Sequence, residues 1–359
     1  MESPITVMNA RVHEGEAYDQ VAVHRRLRAI RMKLWILQKQ GLNAEPVAYE
    51  STRFLEEARV LGIDLELVAA EEIDLIVSRD GPRSIRRGGE QVNLPDGLLP
   101  RAGSGSNTFT LAVLRQFEQL SVPVINNSQA IEAVKDKLVC LQKLARANLP
   151  IPRTMLVRFP VDFDLVERQI GFPCVVKLLV GSHGEGIYLS RNRSSFRDLM
   201  ELVSSLNGQQ SLILQNYIGD RPGQDLRVWV IGGQVVGAML RRSTDGSFKA
   251  NITRGGRGEL WPMEPGIEVL ARECAATLGL EIAGVDLLFD GDQFRVCEIN
   301  SAPEFSGFEA ATGFNIARQV LQHCSWRIRR QWKLPLVSPL PGSAMAESPT
   351  PHVIRDDNG

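Results

Sequence analysis

The sequence has no Cys-x-x-Cys pair and only five cysteines, at positions 140, 174, 274, 297 and 324. An odd number without paired spacing argues against a disulfide framework. Four of the five sit in apolar runs and read as reduced core thiols, which suits the cytoplasm. The five histidines are scattered, which argues against a zinc site. No apolar run approaches the roughly 20 residues that cross a bilayer, and no signal-peptide core is present, so no membrane partner is expected. Charge of one sign is not in excess either: 41 basic residues face 42 acidic ones, which gives no reason to expect nucleic acid. There is no internal repeat and no Gly-Lys-[Ser/Thr] phosphate loop.

What 359 residues do supply is room for two or three domains. Residues 1–31 are polar and end in a basic segment from His24 to Arg31. They read as an extension, either a solvated arm or the product of an upstream start codon. From 32 to 126 short patterns alternate: strand 33–37, helix 51–61, strand 65–69, an edge hairpin over 85–92, strand 97–101, helix 108–120 and strand 122–125. That alternation predicts an open, mostly parallel sheet with helices on both faces. Ser104, Gly105, Ser106 and Asn107 read as caps of the second helix, with an anion site as the alternative. Residues 127–218 come next, with a helix from Ser128 to about 147, strand 174–180, helix 194–206 and strand 211–217. Residues 219–330 carry strands 225–231, 234–240 and 248–252, helix 266–278, a strand hairpin and a closing helix 311–329. Residues 331–359, rich in Pro, Ser and charge, read as a disordered tail.

The hairpin over 283–299 carries the chemistry. Asp286, Glu298 and Asn300 interrupt apolar runs, and burying a carboxylate is costly unless it is paired or binds a cation. Strand alternation puts Glu298 and Asn300 on one face, and an odd loop, Gly291 to Gln293, would set Asp286 opposite Glu298. Such hard oxygen ligands suit magnesium together with nucleotide phosphates; the alternative is that Asp286 pairs with an arginine. Upstream, Lys177 interrupts an apolar strand and precedes the glycine-rich turn Gly181-Ser182-His183-Gly184-Glu185-Gly186. Glycines let backbone N–H groups approach phosphate oxygens, and a lysine on the preceding strand can add its ammonium. Gln215, Asn216, Tyr217 and Ile218 end a strand whose backbone can read an adenine edge. Asp225 and Arg227 share a face of the next strand, and Arg241, Arg242, Lys249, Ala250, Asn251 and Arg254 add cations and an amide. In sequence order these make a lysine, a glycine flap, a hinge, a cationic strand and metal carboxylates, the parts needed to hold Mg-ATP.

That order resembles the ATP-grasp superfamily and, within it, the RimK-type glutamate ligases. The pieces that carry the resemblance include LLPRAGSGSNTFTLAVLRQFE, VVKLLVGSHGEGI, LILQNYIGDRPGQDLRVWVIGGQVV, FKANITRGG, AGVDLL and CEINSAPEFSGFEAATGFNIA. The resemblance implies an α/β (α+β) fold: an N-terminal open parallel-sheet domain, a central lid domain and a C-terminal mixed-sheet domain, with ATP between the last two. It implies Lys137 and Lys177 on phosphates, Gly184 and Gly186 in the flap, residues 215–218 on the adenine, and Asp225 toward the ribose beside Arg227. Lys249, Ala250, Asn251 and Arg254 would line the phosphate and acyl-phosphate region. Asp286, Glu298 and Asn300 would hold magnesium or manganese, with Glu298 bridging two ions. Arg254, Asn251 and Glu298 would be the catalytic residues.

The implied reaction joins a carboxylate to an amine through an acyl phosphate. Glutamate or another amino acid would be added to a peptide or protein C-terminus or a small carboxylate. Ligation onto a cofactor or secondary metabolite and a synapsin-like regulatory ATP-binding module are the alternatives, and a homo-oligomer is a further implication. Two positions depart from the family pattern. Asn216 replaces the glutamate of a Q-E-Y-I hinge, and Glu304 replaces the glycine of N-A-S-P-G, placing a carboxylate where substrates should sit. Arg101 is a candidate contact for a substrate carboxylate, with an internal ion pair as the alternative.

Overall fold

The computed structural model describes residues 31–38, 48–77, 84–103, 106–179, 186–205, 211–250 and 256–332. The chain begins with β1 (Lys33–Gln38), α1 (Tyr49–Leu61) and β2 (Asp64–Ala69). A small antiparallel sheet of β3 (Ile73–Leu75), β4 (Ile85–Arg87) and β5 (Glu90–Gln91) leads to β6 (Gly97–Pro100) and α2 (Thr108–Gln119). β1 lies between β2 and β6, parallel to both. Its side chains alternate between two cores: Leu34 and Ile36 pack with Phe54 and Ala58 of α1, whereas Trp35 and Leu37 pack with Leu111, Leu114 and Phe117 of α2. A strand covered on both faces is apolar where it is covered, and this one is from Leu34 to Leu37. The expected strand 122–125 shrinks to one parallel bridge between Val124 and Leu98, since Pro123 has no N–H to extend a ladder.

A single helix was expected from Ser128; two form instead, α3 (Ser128–Lys135) and α4 (Lys137–Arg146). Asp136 between them is extended, and its carboxylate accepts the N–H groups of Leu138 and Val139 at 2.8 and 3.1 Å, starting a new helix. The cap of α3 is Asn127 rather than Ser128. The second sheet has the order β7-β10-β8-β9. Its elements are β7 (Thr154–Leu156), α5 (Phe163–Gln169), β8 (Cys174–Leu178), β9 (Ile187–Ser190), α6 (Arg193–Ser205) and β10 (Leu212–Asn216). Val166 of α5 with Phe196 and Met200 of α6 cover one face, meeting Cys174, Val176 and Leu214.

The third sheet, β13-β12-β11-β14-β15, is antiparallel. It comprises β11 (Gln224–Ile231), β12 (Gln234–Arg242), β13 (Arg257–Trp261), β14 (Ile282–Asp290) and β15 (Gln293–Asn300), with α7 (Pro265–Leu278), α8 (Ser306–Thr312) and α9 (Ile316–Trp332) packed around it. Parallel and antiparallel pairing thus divide between sheets rather than mixing within the third. The strand expected over 248–252 does not form at Phe248–Ala250, and residues 251–252 lie outside the described ones; the edge strand is β13. The expected closing helix breaks at Gly313, whose φ of +72° is left-handed. α7 covers one face, where Leu226, Val228, Val285 and Leu287 point. The other face sets Trp229 and Met239 against Phe305, Phe308 and α9, which also packs on the first sheet. Gly97 permits this approach, since a Cβ there would collide with Ile328 Cδ1. Asn126 locks the same junction. Its buried amide donates to the carbonyls of Ile282 and Ser301 (2.7 and 2.8 Å) and accepts from the N–H groups of Glu281 and Ile282 (2.7 and 2.9 Å).

Candidate active site

The site grows from one face of the third sheet. In β11 the residues alternating with Leu226 and Val228 are Asp225 and Arg227; across the ladder Arg241 pairs with Asp225, and Asp286 pairs with Arg227 on one side and Glu298 on the other. The β14–β15 loop is not odd: it holds two residues, Gly291 and Asp292. Asp286 still faces Glu298 because Leu287 pairs with Val296, leaving Cys297 as a one-residue bulge. The bulge supplies the parity shift that was expected from the loop.

These side chains form a chain of charge. Arg241 donates to both oxygens of Asp225 (2.6 and 2.8 Å) and reaches Asp286 at 2.9 Å, and Arg227 grips both oxygens of Asp286 at 2.8 and 2.7 Å. Burial alone would raise the Asp286 pKa, but the two guanidiniums outweigh it and hold the carboxyl below its usual range. The arginine pairing considered for Asp286 is therefore realised. Glu298 has no hydrogen bond or ion pair among the described residues, and the buried Asn300 Nδ2 has no partner. A turned Asn300 amide would present Oδ1 in its place. Two carboxylates and a carboxamide fit a magnesium ion, with Glu298 and Asn300 open and Asp286 shared with its arginines. Among the described residues no three His, Cys, Asp or Glu side chains converge as a ligand set.

A cavity of about 580 Å³ runs along this face, within the usual range for small-molecule sites. The second sheet forms its other wall. β8 turns Val175 and Lys177 toward the cavity, and the register pairs them with Gln215 and Ile213 of β10. Lys177 is 8% exposed, and its Nζ lies 3.8 Å from the Cys297 thiol. Burial raises the Cys297 pKa against the pull of Lys177. The helix break at Asp136 sets Lys137 in the same cavity, where burial lowers its pKa and Glu298 opposes that shift. Gln215 is buried and donates to Thr154 Oγ1 at 3.0 Å. Asn216 lines the cavity, but strand alternation places it on the face of Leu212 and Leu214, which belongs to the second sheet's own core. Tyr217 meets Phe248 edge-on at 6.4 Å.

Of the expected site residues, the structure gathers Lys137, Lys177, Gln215, Asn216, Tyr217 and Ile218 around this cavity. Asp225, Arg227, Lys249, Ala250, Asp286, Glu298 and Asn300 line it as well. Gly186 does not; it lies against β8, where a Cβ would collide with Leu178 Cδ1. Gly184, Asn251, Arg254 and His183 lie outside the described residues. Asp225 is held by Arg241, a partnership the alternation of β12 could have suggested. The ion pair considered for Arg101 does not form among the described residues; its Nη2 donates to the Pro303 carbonyl at 2.7 Å. Neither the bulge at Cys297 nor the Glu50 contact with Phe305 N–H had a local sequence signal.

An antiparallel two-wall cleft set on a parallel three-stranded domain is the architecture of ATP-grasp ligases, and comparison with known proteins agrees. A model described as a RimK PreATP-grasp domain matches residues 32–131, and one described as a RimK-like ATP-grasp domain matches residues 134–324. "Probable alpha-L-glutamate ligase 1" of Shewanella frigidimarina is 35% identical over 76% of this chain and 90% of its own length. "Probable alpha-L-glutamate ligase" of Marinomonas sp. is 32% identical over 79% and 93%. The chain belongs to the RimK-type ATP-grasp family and is a ligase that forms C–N bonds. The fold is shared with the ATP-grasp ligase PsnB in complex with a minimal precursor (TM-score 0.65, 21% identity, 84% of this chain and 99% of that one). It is shared too with D-alanine–D-alanine ligase from Bacillus anthracis bound to ATP (TM-score 0.61, 14% identity, 84% and 99%). No described helix is long and apolar enough to cross a membrane.

Proposed function

We propose that this ligase works through an acyl phosphate: a substrate carboxylate takes the γ-phosphoryl group of ATP, and an amine displaces phosphate, leaving an amide, ADP and phosphate. The observation that carries the reading is Lys177 facing the Glu298–Asp286 pair across one cavity. In this reading Lys137 and Lys177 neutralise phosphate charge, which lets an anionic carboxylate approach an anionic phosphate. The backbone of 215–218 reads adenine, so the side chain of Asn216 is not needed for ATP use. Asp225 orients the ribose side while Arg241 holds it, and Arg227 fixes Asp286. Lys249, Ala250, Asn251 and Arg254 attend the acyl phosphate. Glu298, Asn300 and Asp286 would hold one or two magnesium or manganese ions, which when bound neutralise developing charge on the phosphoryl oxygens.

The amine substrate is an amino acid and the acceptor a carboxylate of a peptide, a protein C-terminus or a small molecule. The relatives' names make glutamate the first amino acid to test. A homo-oligomer and a reducing cytoplasmic setting belong to the same reading. Phosphate release with ATP, magnesium and a panel of amino acids and acceptors tests it. Glu298→Gln should cut turnover by about a hundredfold or more while AMPPNP still binds; near-normal turnover in that variant contradicts the assigned role.

A further inference from the structure

Asp286 is the expected ion ligand whose oxygens are already taken. Arg227 donates from Nε to Oδ1 at 2.8 Å and from Nη2 to Oδ2 at 2.7 Å, and Arg241 reaches Oδ2 at 2.9 Å. The carboxylate is buried, so little water competes for these bonds. The two arginines differ in what else they hold. Arg241 also donates to both oxygens of Asp225. Arg227 has Asp286 as its only ion-pair partner among the described residues, its Nη1 makes no hydrogen bond there, and it lines the cavity with 15% of its side chain exposed.

A divalent ion that reaches for Asp286 therefore meets a guanidinium first. It would have to displace a charge-assisted hydrogen bond and then stand beside the positive charge it displaced. The charges of Glu298 and Lys177 both act on Lys137 in the same cavity, so the approach from the side of Glu298 holds cations as well. A triphosphate reverses this, because its oxygens supply negative charge to the ion and hydrogen-bond acceptors to Arg227. Asp225 keeps Arg241 in place, which leaves Arg227 as the arginine able to turn.

We infer that Arg227 gates the ion site: while it grips Asp286 the nucleotide-free protein does not retain a divalent cation, and the ion enters only together with a triphosphate. The inference rests on the ion assignment of the ligase reading above. Arg227 acts through Asp286 and is a positioning residue. Its grip keeps an ion from occupying the carboxylates before the nucleotide arrives.

Mn²⁺ alone is the probe, titrated into the nucleotide-free full chain and followed by the EPR signal of the free ion. Wild type should bind it weakly, and Arg227→Met about tenfold tighter or more, the effect of removing one positive charge beside a doubly charged ion. Every other charge around the cavity is common to the two proteins, so the comparison isolates this contact. Arg227→Lys keeps the charge and should stay within about threefold of wild type. Adding Asp286→Asn to Arg227→Met should abolish the gain, a reversal that a merely loosened fold would not show. Thermal melts check each variant, and Arg227→Gln, also neutral, replaces Arg227→Met if that protein fails to fold. Mn²⁺ held by wild type as tightly as by the neutral variants, a gain equally large in Arg227→Lys, or a gain that persists with Asp286→Asn overturns the inference. The ion assignment fails by a different result: calorimetry in which Mn²⁺ leaves the affinity of wild type for AMPPNP unchanged removes it, and the gate with it.

Discussion

Replacing Arg241 by methionine isolates the charge chain beneath the site. Arg241 is 6% exposed and is the described partner of Asp225, whereas Asp286 also has Arg227. Deleting one member of a buried ion pair leaves an uncompensated charge and costs about 3–5 kcal/mol. The Asp225 side chain keeps 13% exposure, so the lower end, about 3 kcal/mol, is expected. Asp225→Asn removes the charge instead and should cost about 1–2 kcal/mol, since Arg241 retains Asp286. In the double variant neither charge is stranded, and the loss should fall to about 1–2 kcal/mol, well short of additive. The sign with pH is fixed. Burial holds the Asp225 pKa above the ordinary 3.8 even against the pull of Arg241, and removing that cation raises it further, so the deficit of Arg241→Met is full at neutral pH and shrinks as pH falls toward the raised value. Urea unfolding of the four proteins at neutral and mildly acidic pH measures all of this. Additive losses, or a deficit that does not change with pH, would refute the reasoning.

Three other outcomes are set by the geometry. Asn126→Ala removes four hydrogen bonds at a buried junction and strands the backbone groups of Glu281 and Ile282; about 2–4 kcal/mol should be lost in urea unfolding, and a loss below about 1 kcal/mol would contradict the clamp. Asn216→Ala should change AMPPNP affinity by less than about twofold, because in the proposed reading the hinge reads adenine through its backbone and strand alternation turns this side chain to the side of Leu212 and Leu214; a loss of about tenfold by calorimetry would place the amide on the nucleotide. Glu57 of α1 binds Asn315 and Arg318 at the start of α9; burial raises its pKa, but these partners hold it below 4.5. Its stabilising contribution is complete above 4.5 and lost as pH falls through the depressed value, so hydrogen exchange in α9 should quicken in acid and Glu57→Gln should blunt that dependence.

The sequence made the chemistry of the site more legible than its geometry. Lys177 and the carboxylates of the hairpin were visible because each breaks an apolar run, and a charge in a buried strand requires a partner. Their mutual pairing was expected for the wrong reason: the loop is even, and a bulge at Cys297, which no local preference announces, restores the register. The helix break at Asp136 was written in the sequence as an aspartate able to cap the helix that starts at Lys137, but the surrounding helical periodicity masked it. β7 and β9, three and four residues long, gave too little alternation to read, and the edge strand β13 is largely exposed. The four bonds of Asn126 span more than 150 residues of chain, and nothing in the neighbours of an asparagine reports such partners.

The central claim is that Glu298, Asn300 and Asp286 share divalent ions with the triphosphate of ATP. Diffraction from crystals grown with AMPPNP and Mn²⁺, collected at an energy where manganese scatters anomalously, addresses it without reference to turnover. The account predicts an anomalous peak ligated by Glu298 and Asn300 and by phosphate oxygens, with Asp286 at its edge. Nucleotide bound in the cavity with no peak at these side chains, or with manganese held elsewhere, contradicts it.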